Sequence, residues 1–500
     1  MWRDTLLSSL DNLSSSFQPT AEQELCVATA ATGTNLKIKA FAGAGKTSTL
    51  QLIAASQHAR KGSYLAFNRD IADYARRKFP SNVTSRTVHA AAYAAASSKI
   101  RARMQLATEP SHELAARLGL NPVRVRRVVG DPIELTLFEL GQMVVEGLGA
   151  YSRSADAQPS ISHITVDERI DEHDANTLRQ WLLPSVQRLW HESADPNGRS
   201  AISPDVTLKL WALAKPYIAS DFILFDEAQD SDGVMLSVLE RQRHAQIIYV
   251  GDPYQQIYEW RGAVNAMEKI SAPECALTES FRFGTTVAVL ASRLLALMGE
   301  TTPLRGQETI GTELVEDPTI APPVDAVLCR KNVTAVWQYA VGLELGHRPT
   351  IRMSPAEIEA FADAADMLQA GRRAFRPAAF SLFESWEDAR AFSRSAIGVD
   401  LLPIVELIDQ CGTDYLRRVA RHAGMNSSGD YVVSTIHRAK GLEYKRVRIA
   451  NDFNFKFEEG RFLLEDDEMR LLYVAITRAK HLLDVASLRD DLVRLITQRR

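Results

Sequence analysis

The feature that most limits what this chain can fold into is a repeated pattern: a short apolar run, a loop carrying Gly or Asp, then a stretch with helical spacing. LKIKAFA (36–42), GSYLAFN (62–68), DFILFDE (221–227) and AQIIYVGD (245–252) form one set, and YVVSTIH (431–437), YKRVRIAN (444–451) and HLLDVAS (481–487) form another. Strands covered by helices on both faces read as continuous apolar runs, so the pattern predicts parallel sheets in an α/β fold, with two such units. Residues 95–215 and 335–428 are instead rich in helical periodicity, as in PAEIEAFADAADMLQAGRRA, and read as two helical insertions. Arg101 and Arg103 form one basic cluster in the first insertion, and Arg124, Arg126 and Arg127 a second, read as a solvated helix face.

At 500 residues and 46% hydrophobic composition, the chain is long enough for several packed domains. A formal net charge of −4 excludes a protein coated in basic surface, but not positive charge confined to one cleft. Cys26, Cys275, Cys329 and Cys411 form no CxxC pair, which argues against a zinc site or a disulfide framework and for a reducing cytoplasm, beside the nucleoid if the source is bacterial. The opening MWRDTLLSSLDNL carries Asp4 and Asp11, and no stretch of about 18 apolar residues follows, so neither a signal peptide nor a membrane span is expected.

The strongest local signal is AFAGAGKTS (40–48), placed between a strand-like run and a helical one. Backbone amides around Ala42, Gly43, Ala44 and Gly45 can surround phosphates, Lys46 can neutralise them, and the Thr47 hydroxyl can face Mg²⁺. A chance Gly-rich turn would not need this strand–loop–helix setting. FILFDEAQD (222–230) ends a strand in two carboxylates, where Asp226 would hold Mg²⁺ and Glu227 would polarise an attacking water. An isolated Asp-Glu after a strand is usually a solvated turn, so this pair gains its meaning from the loop before it.

Together with VGDPYQQIYEWRGA (250–263), LTESFRF (277–283), AVLCRKN (326–332), VVSTIHRAKGLEYKRVRIAN (432–451) and RLLYVAITRAKHLL (470–483), these segments resemble the UvrD/Rep/PcrA group of superfamily 1 helicases. The resemblance spans nearly the whole chain. It implies two RecA-like P-loop motor domains with parallel sheets, each carrying a mainly helical insertion: 1–94 with 216–282, interrupted by 95–215, and 283–334 with 429–500, interrupted by 335–428. The second insertion is smaller than is usual in the group, a layout similar to the F-box DNA helicases, although no F-box is evident.

The resemblance also implies roles. Gln23, in FQPTAEQ, would read adenine, and Ser48 stands where some relatives have an Arg against the base. Gln255, Arg282 and Arg478 would meet the γ-phosphate, Phe281 would stack on adenine, and Glu443, with Lys440 and Gly441, would couple strand to nucleotide. Phe67, Asn68, Thr87, His89, Tyr258, Trp260 and His437 would face the nucleic acid, the aromatics through base faces. For Arg478 the bland alternative is a side chain snorkelling from a helix end.

The implied activity is ATP-dependent movement along single-stranded DNA, 3′-to-5′, with duplex separation. ATP and Mg²⁺ would be the cofactors, and single strands and tailed duplexes the substrates. No nuclease constellation is evident, so any cutting would fall to a protein partner such as a nuclease. The rival reading is an ATP-gated DNA-binding switch that recruits or licenses a partner.

Overall fold

The computed structural model describes residues 18–66, 69–128, 131–259, 262, 264–381, 383–394, 401–425, 428–458 and 461–497. The chain divides into two compact units: residues up to Ala40 with Gly45–Leu277, and Phe41–Ala44 with the chain from Thr278 on.

The first unit is built on a six-stranded parallel sheet. Its strands are β1 (Leu36–Ala40), β2 (Gly62–Ala66), β3 (Val83–Thr87), β6 (Phe222–Phe225), β7 (Gln246–Gly251) and β8 (Glu274–Leu277), ordered β3-β2-β6-β7-β1-β8. Every residue of β2, β6 and β7 is buried, which is why their sequences are apolar without alternation. The core on one side of the sheet joins Leu65, Ile223, Phe225 and Tyr249 to Leu208, Ala212, Val234 and Leu239.

Between β3 and β6 lie the helices Ser98–Arg103, Ser111–Leu118, Leu137–Arg153, Glu172–Ala194 and Pro204–Leu213, with a hairpin of β4 (Val123–Val125) and β5 (Ile133–Leu135). The capping box of Thr136 and Glu139 fixes the start of Leu137–Arg153, and Asp171 caps Glu172–Ala194. The expected helix face at Arg124–Arg127 is corrected here. Arg124 lies on hairpin strand β4, and Arg126 pairs with Asp174 at 2.7 Å and Asp171 at 3.2 Å on the neighbouring helix. The basic residues alternate with valine in VRVRR, a strand period that an unassisted charge reading overlooks.

The second unit repeats the plan. Strands β11 (Glu313–Val315), β12 (Ala326–Cys329), β13 (Thr350–Ile351), β14 (Val432–Thr435), β15 (Tyr444–Ile449) and β18 (Ala479–Asp484) form a parallel sheet ordered β11-β18-β15-β12-β14-β13. β13, which the sequence reading places inside the second insertion, pairs with β14 in this sheet. Between β13 and β14 come the helices Pro355–Gln369, Trp386–Ser393, Leu402–Cys411 and Thr413–Met425. Their apolar faces join Phe361, Phe380, Trp386, Ile404 and Leu416 to sheet residues such as Val327 and Val433 in one core. The indole N–H of Trp386 donates to Asp409 Oδ1 at 2.7 Å, so the large aromatic is buried without an orphaned donor. No helix among the described residues is long and apolar enough to cross a membrane.

Candidate active site

In an open parallel sheet, the loops at the carboxyl ends of the strands converge, and ligands bind there. In the first unit that edge carries the ends of β1, β3, β6 and β7, each followed by a segment singled out above. After β1 the chain turns into the helix Lys46–Ser56 through Gly45, at φ +75°, a left-handed conformation that costs glycine nothing. No side chain caps this helix, so its first amides are directed into the loop with the positive end of the helix dipole behind them. Lys46 Nζ donates to the Ala40 carbonyl at 3.0 Å, which folds the ammonium back over the loop and leaves further N–H donors for phosphate oxygens.

Gln23 reaches the same helix. It is the third residue of the helix Ala21–Ala30, where it closes a capping box with Thr20: the Thr20 amide donates to Gln23 Oε1 at 3.1 Å. Its Nε2 donates to Thr49 Oγ1 at 3.2 Å, and Thr49 Oγ1 in turn donates to the Gly45 carbonyl at 3.0 Å. One amide N–H and one lone pair of Gln23 lie beyond these bonds, which is the donor–acceptor pair that an adenine edge requires.

β6 delivers Asp226 and Glu227. Asp226 is buried, accepts from Tyr64 Oη at 2.6 Å, and accepts from the Glu227 amide at 2.9 Å. Burial first, and then the adjacent Glu227 charge, push its carboxyl above the ordinary range, with Tyr64 and Lys46 acting in the opposite sense. A buried carboxylate raised by a like charge is a donor that a divalent cation relieves, so Asp226 together with the Thr47 hydroxyl fits Mg²⁺.

From Glu227 a chain of hydrogen bonds leads to the next strand. Gln229 Nε2 lies 2.5 Å from Glu227 Oε2, Gln229 Oε1 lies 3.1 Å from the Asp252 amide, and Asp252 Oδ2 lies 2.7 Å from Gln255 Nε2. Gly251 makes the link possible, since a Cβ there would stand 2.4 Å from Gln229 Oε1 and 3.2 Å from the Ala228 amide. Tyr64, Gln229 and Asp252 escaped the sequence reading. The signal was present in DEAQD and VGDP, but the spacing does not reveal which polar side chains of the two loops meet.

The candidate strand-facing residues divide. Thr87 caps the helix Val88–Ala95 by accepting from the Ala90 amide at 3.1 Å, and His89 Nε2 stands 3.2 Å from Asp205 Oδ1. Tyr258 is half-buried beyond the short 3₁₀ turn Pro253–Gln255. Phe67, Asn68 and Trp260 lie outside the described residues.

Residues 213–271 match the UvrD/REP helicase N-terminal domain, and residues 418–489 match the UvrD-like helicase C-terminal domain. The chain is 29% identical over 490 residues to F-box DNA helicase protein 1 of Schizosaccharomyces pombe, covering 90% of this chain and 55% of that protein. Against F-box DNA helicase 1 of Gallus gallus it is 26% identical over 505 residues, covering 93% of this chain and 48% of the relative. The chain thus spans about half the length of the curated relatives it matches.

The second unit holds the remaining candidates. Arg282 donates from Nε to Glu443 Oε1 at 2.8 Å and from Nη1 to the Thr477 carbonyl at 2.9 Å, while Lys480 Nζ lies 2.6 Å from Glu443 Oε2. Burial pushes the Glu443 carboxyl up, but Arg282 and Lys480 together outweigh it and hold the group below the ordinary range. Phe281 is 43% exposed, enough ring face for stacking, and its amide donates to the Gly43 carbonyl at 2.9 Å in the segment Phe41–Ala44 of the same unit. The Ala42 amide donates to Tyr473 Oη at 3.1 Å.

Arg478 does not snorkel. It follows the helix Asp466–Ile476, is 1% exposed, and donates to the Val474 carbonyl at 2.9 Å, the Leu442 carbonyl at 3.3 Å and Thr477 Oγ1 at 3.2 Å. Its guanidinium therefore shares the Val474 carbonyl at the helix end with the Thr477 hydroxyl and ties that end to the Leu442 carbonyl. His437 and Lys440 are half-buried around the one-turn helix Ile436–Ala439, and Gly441 takes φ +82° directly before Leu442 and Glu443.

Proposed function

We propose that this chain is an ATP-driven motor that moves along single-stranded DNA and separates duplexes, with 3′-to-5′ polarity carried over from the family resemblance. The observation that carries the reading is the carboxyl edge of the first sheet. There a phosphate-binding loop, a raised Asp226 and a Glu227 hydrogen-bonded through to Gln255 share one strip with Thr87 and His89.

Lys46 and the uncapped amides of its helix bind the phosphates, and Gln23 orients the base. Thr47 and Asp226 would hold Mg²⁺, which supplies positive charge against the phosphate oxygens when bound. Glu227 orients the attacking water and accepts its proton, while Gln255 ties that geometry to the loop carrying Tyr258. The family resemblance assigns Arg282 and Arg478 the role of supplying guanidinium charge to the γ-phosphoryl group, and Phe281 that of stacking on adenine. A protein partner such as a nuclease would supply any cutting.

The test is ATP hydrolysis with and without single-stranded DNA, followed by strand displacement from 3′-tailed and 5′-tailed duplexes. The motor reading expects strand-stimulated hydrolysis and displacement from the 3′-tailed substrate. Stimulated hydrolysis without displacement or translocation would favour the ATP-gated switch instead.

A further inference from the structure

Beside the nucleotide residues, the first unit holds a compact ionic cluster that joins His89 to Arg153 and Asp205, two residues no motif signals. Asp205, in the helix Pro204–Leu213, accepts from Arg153 Nη1 at 3.1 Å through Oδ2, while its Oδ1 faces His89 Nε2 at 3.2 Å. Arg153 is the last residue of the helix Leu137–Arg153, and His89 the second of the helix after β3. One carboxylate therefore holds two cationic or donor side chains from two different helices. The three side chains are 21–32% exposed, so they are set at a surface rather than in a core.

The cluster lies beside the aromatic loop. A Cβ placed on Gly262 would have Arg153 Nε as its neighbour at 3.7 Å, in ordinary van der Waals contact. Gly262 follows Tyr258 by four residues and carries φ +88°, so the backbone here passes the guanidinium with no side chain between them. Arg153 thus stands where the segment of Thr87 and His89 and the segment of Tyr258 come to one place. A guanidinium presents its N–H donors in a fixed planar fork that matches the oxygens of a phosphate.

We propose that Arg153 is a phosphate contact for the nucleic-acid strand, and that Asp205 is its positioning residue, clamping Arg153 and His89 beside Gly262. The inference rests on the strand-binding reading above. A motor that holds any sequence needs contacts to the backbone as well as to base faces, and guanidinium–phosphate pairing supplies them without reading sequence. Asp205 prevents the guanidinium from rotating away and presents the imidazole alongside it. Burial pushes the Asp205 carboxyl up, but His89 and Arg153 more than reverse this, as expected of a carboxylate serving two donors.

The test is binding of the full chain to oligo(dT) by anisotropy between about 50 and 200 mM salt. Arg153→Ala should lower affinity about tenfold at the low end and flatten the slope of log affinity against log salt by about 0.7, the contribution of one single-strand phosphate. Arg153→Lys should restore the slope, since it restores the charge. Asp205→Asn should weaken binding several-fold while keeping the wild-type slope, because no phosphate contact is removed.

Wild-type salt slope and affinity in a folded Arg153→Ala would overturn the inference alone. So would Arg153→Lys behaving like Arg153→Ala with an unchanged slope, the pattern of a merely structural ion pair. Failure of the wild-type chain to bind oligo(dT) would overturn the strand-binding reading and the inference together.

Discussion

The two six-stranded sheets carry opposite electrostatic designs. At the carboxyl edge of the first, Asp226 and Glu227 stand side by side with Lys46 nearby, and Asp226 is pushed up first by burial and then by the Glu227 charge, which Lys46 only partly offsets. In the second unit the comparable charges are already matched: Arg282 and Lys480 share Glu443, Arg448 pairs with Asp484 at 2.6 Å, and Arg446 with Asp325 at 2.8 Å. The first edge is built to receive outside charge, whereas the second keeps its charges in self-sufficient groups. Substitutions in the first should therefore act on binding and chemistry, and those in the second should also register in stability.

The largest expected effect is at the unbalanced edge. Lys46→Ala should bring strand-stimulated phosphate release down to background while leaving thermal unfolding close to wild type, because among the described residues its ammonium bonds within the fold to a single carbonyl, that of Ala40. Near-normal turnover in a folded Lys46→Ala would remove this loop from the active site.

Next come the two arginines of the matched unit, which separate chemistry from architecture. Arg282→Ala should cost about 10³-fold in hydrolysis and a smaller loss of melting temperature, since Lys480 remains on Glu443 while the Thr477 carbonyl loses a donor. Arg478→Ala should lose hydrolysis to a similar degree and also about 1–3 kcal/mol of stability, because the Val474 and Leu442 carbonyls lose a donor. Arg478→Lys should not recover both, as an ammonium cannot span that set of acceptors. Wild-type melting temperatures for both alanine variants would contradict the contrast between the sheets.

The smallest effect concerns Asp232, a first-unit acid outside the nucleotide strip. It is 8% exposed, caps the helix Gly233–Glu240 through the Met235 amide at 3.0 Å, and is pushed up to about 6, chiefly by burial. Asp205 adds to the shift, while His89 and Arg153 oppose it. Because the folded chain binds this proton more tightly than the unfolded one, Asp232 costs stability progressively between about pH 4 and pH 6, and the cost is constant above. Asp232→Asn keeps a capping side chain. Its stability relative to wild type in urea should rise with pH across that window by no more than about 3 kcal/mol. A difference that stays flat from pH 4 to 7 would show that Asp232 does not titrate there.

What the sequence made legible follows from how local each signal is. β1, β2, β6 and β7 of the first sheet and β14, β15 and β18 of the second were readable because burial on two faces demands largely apolar runs, and the phosphate loop because its glycines, Lys46 and Thr47 are contiguous. Arg478 was placed rightly after a buried helix, but its destination was not legible, since a buried guanidinium can be satisfied by carbonyls that carry no side-chain identity. Asp205 was invisible for another reason: its partners, His89 and Arg153, lie 116 and 52 residues away, and SPDVTLKLWAL reads as an ordinary capped helix. The strand β13 was absorbed into the second insertion because Thr350–Ile351 is two residues long and gives no periodicity to count.

The hydrogen bonds between Glu227 and Gln255 have a sense of direction. Gln255 donates to Asp252, the Asp252 amide donates to Gln229, and Gln229 donates to Glu227, so each N–H dipole in the row is oriented toward the carboxylate. Aligned dipoles polarise one another, and the row is strongest while negative charge sits at its end. Neutralising that end weakens the Gln229 bond directly and, through the Gln229 amide, the bond from the Asp252 backbone, whereas Gln255 keeps the Asp252 carboxylate as its own acceptor. A proton taken up by Glu227 would thus be felt at the backbone of Asp252, three residues before Gln255, where the loop bearing Tyr258 begins.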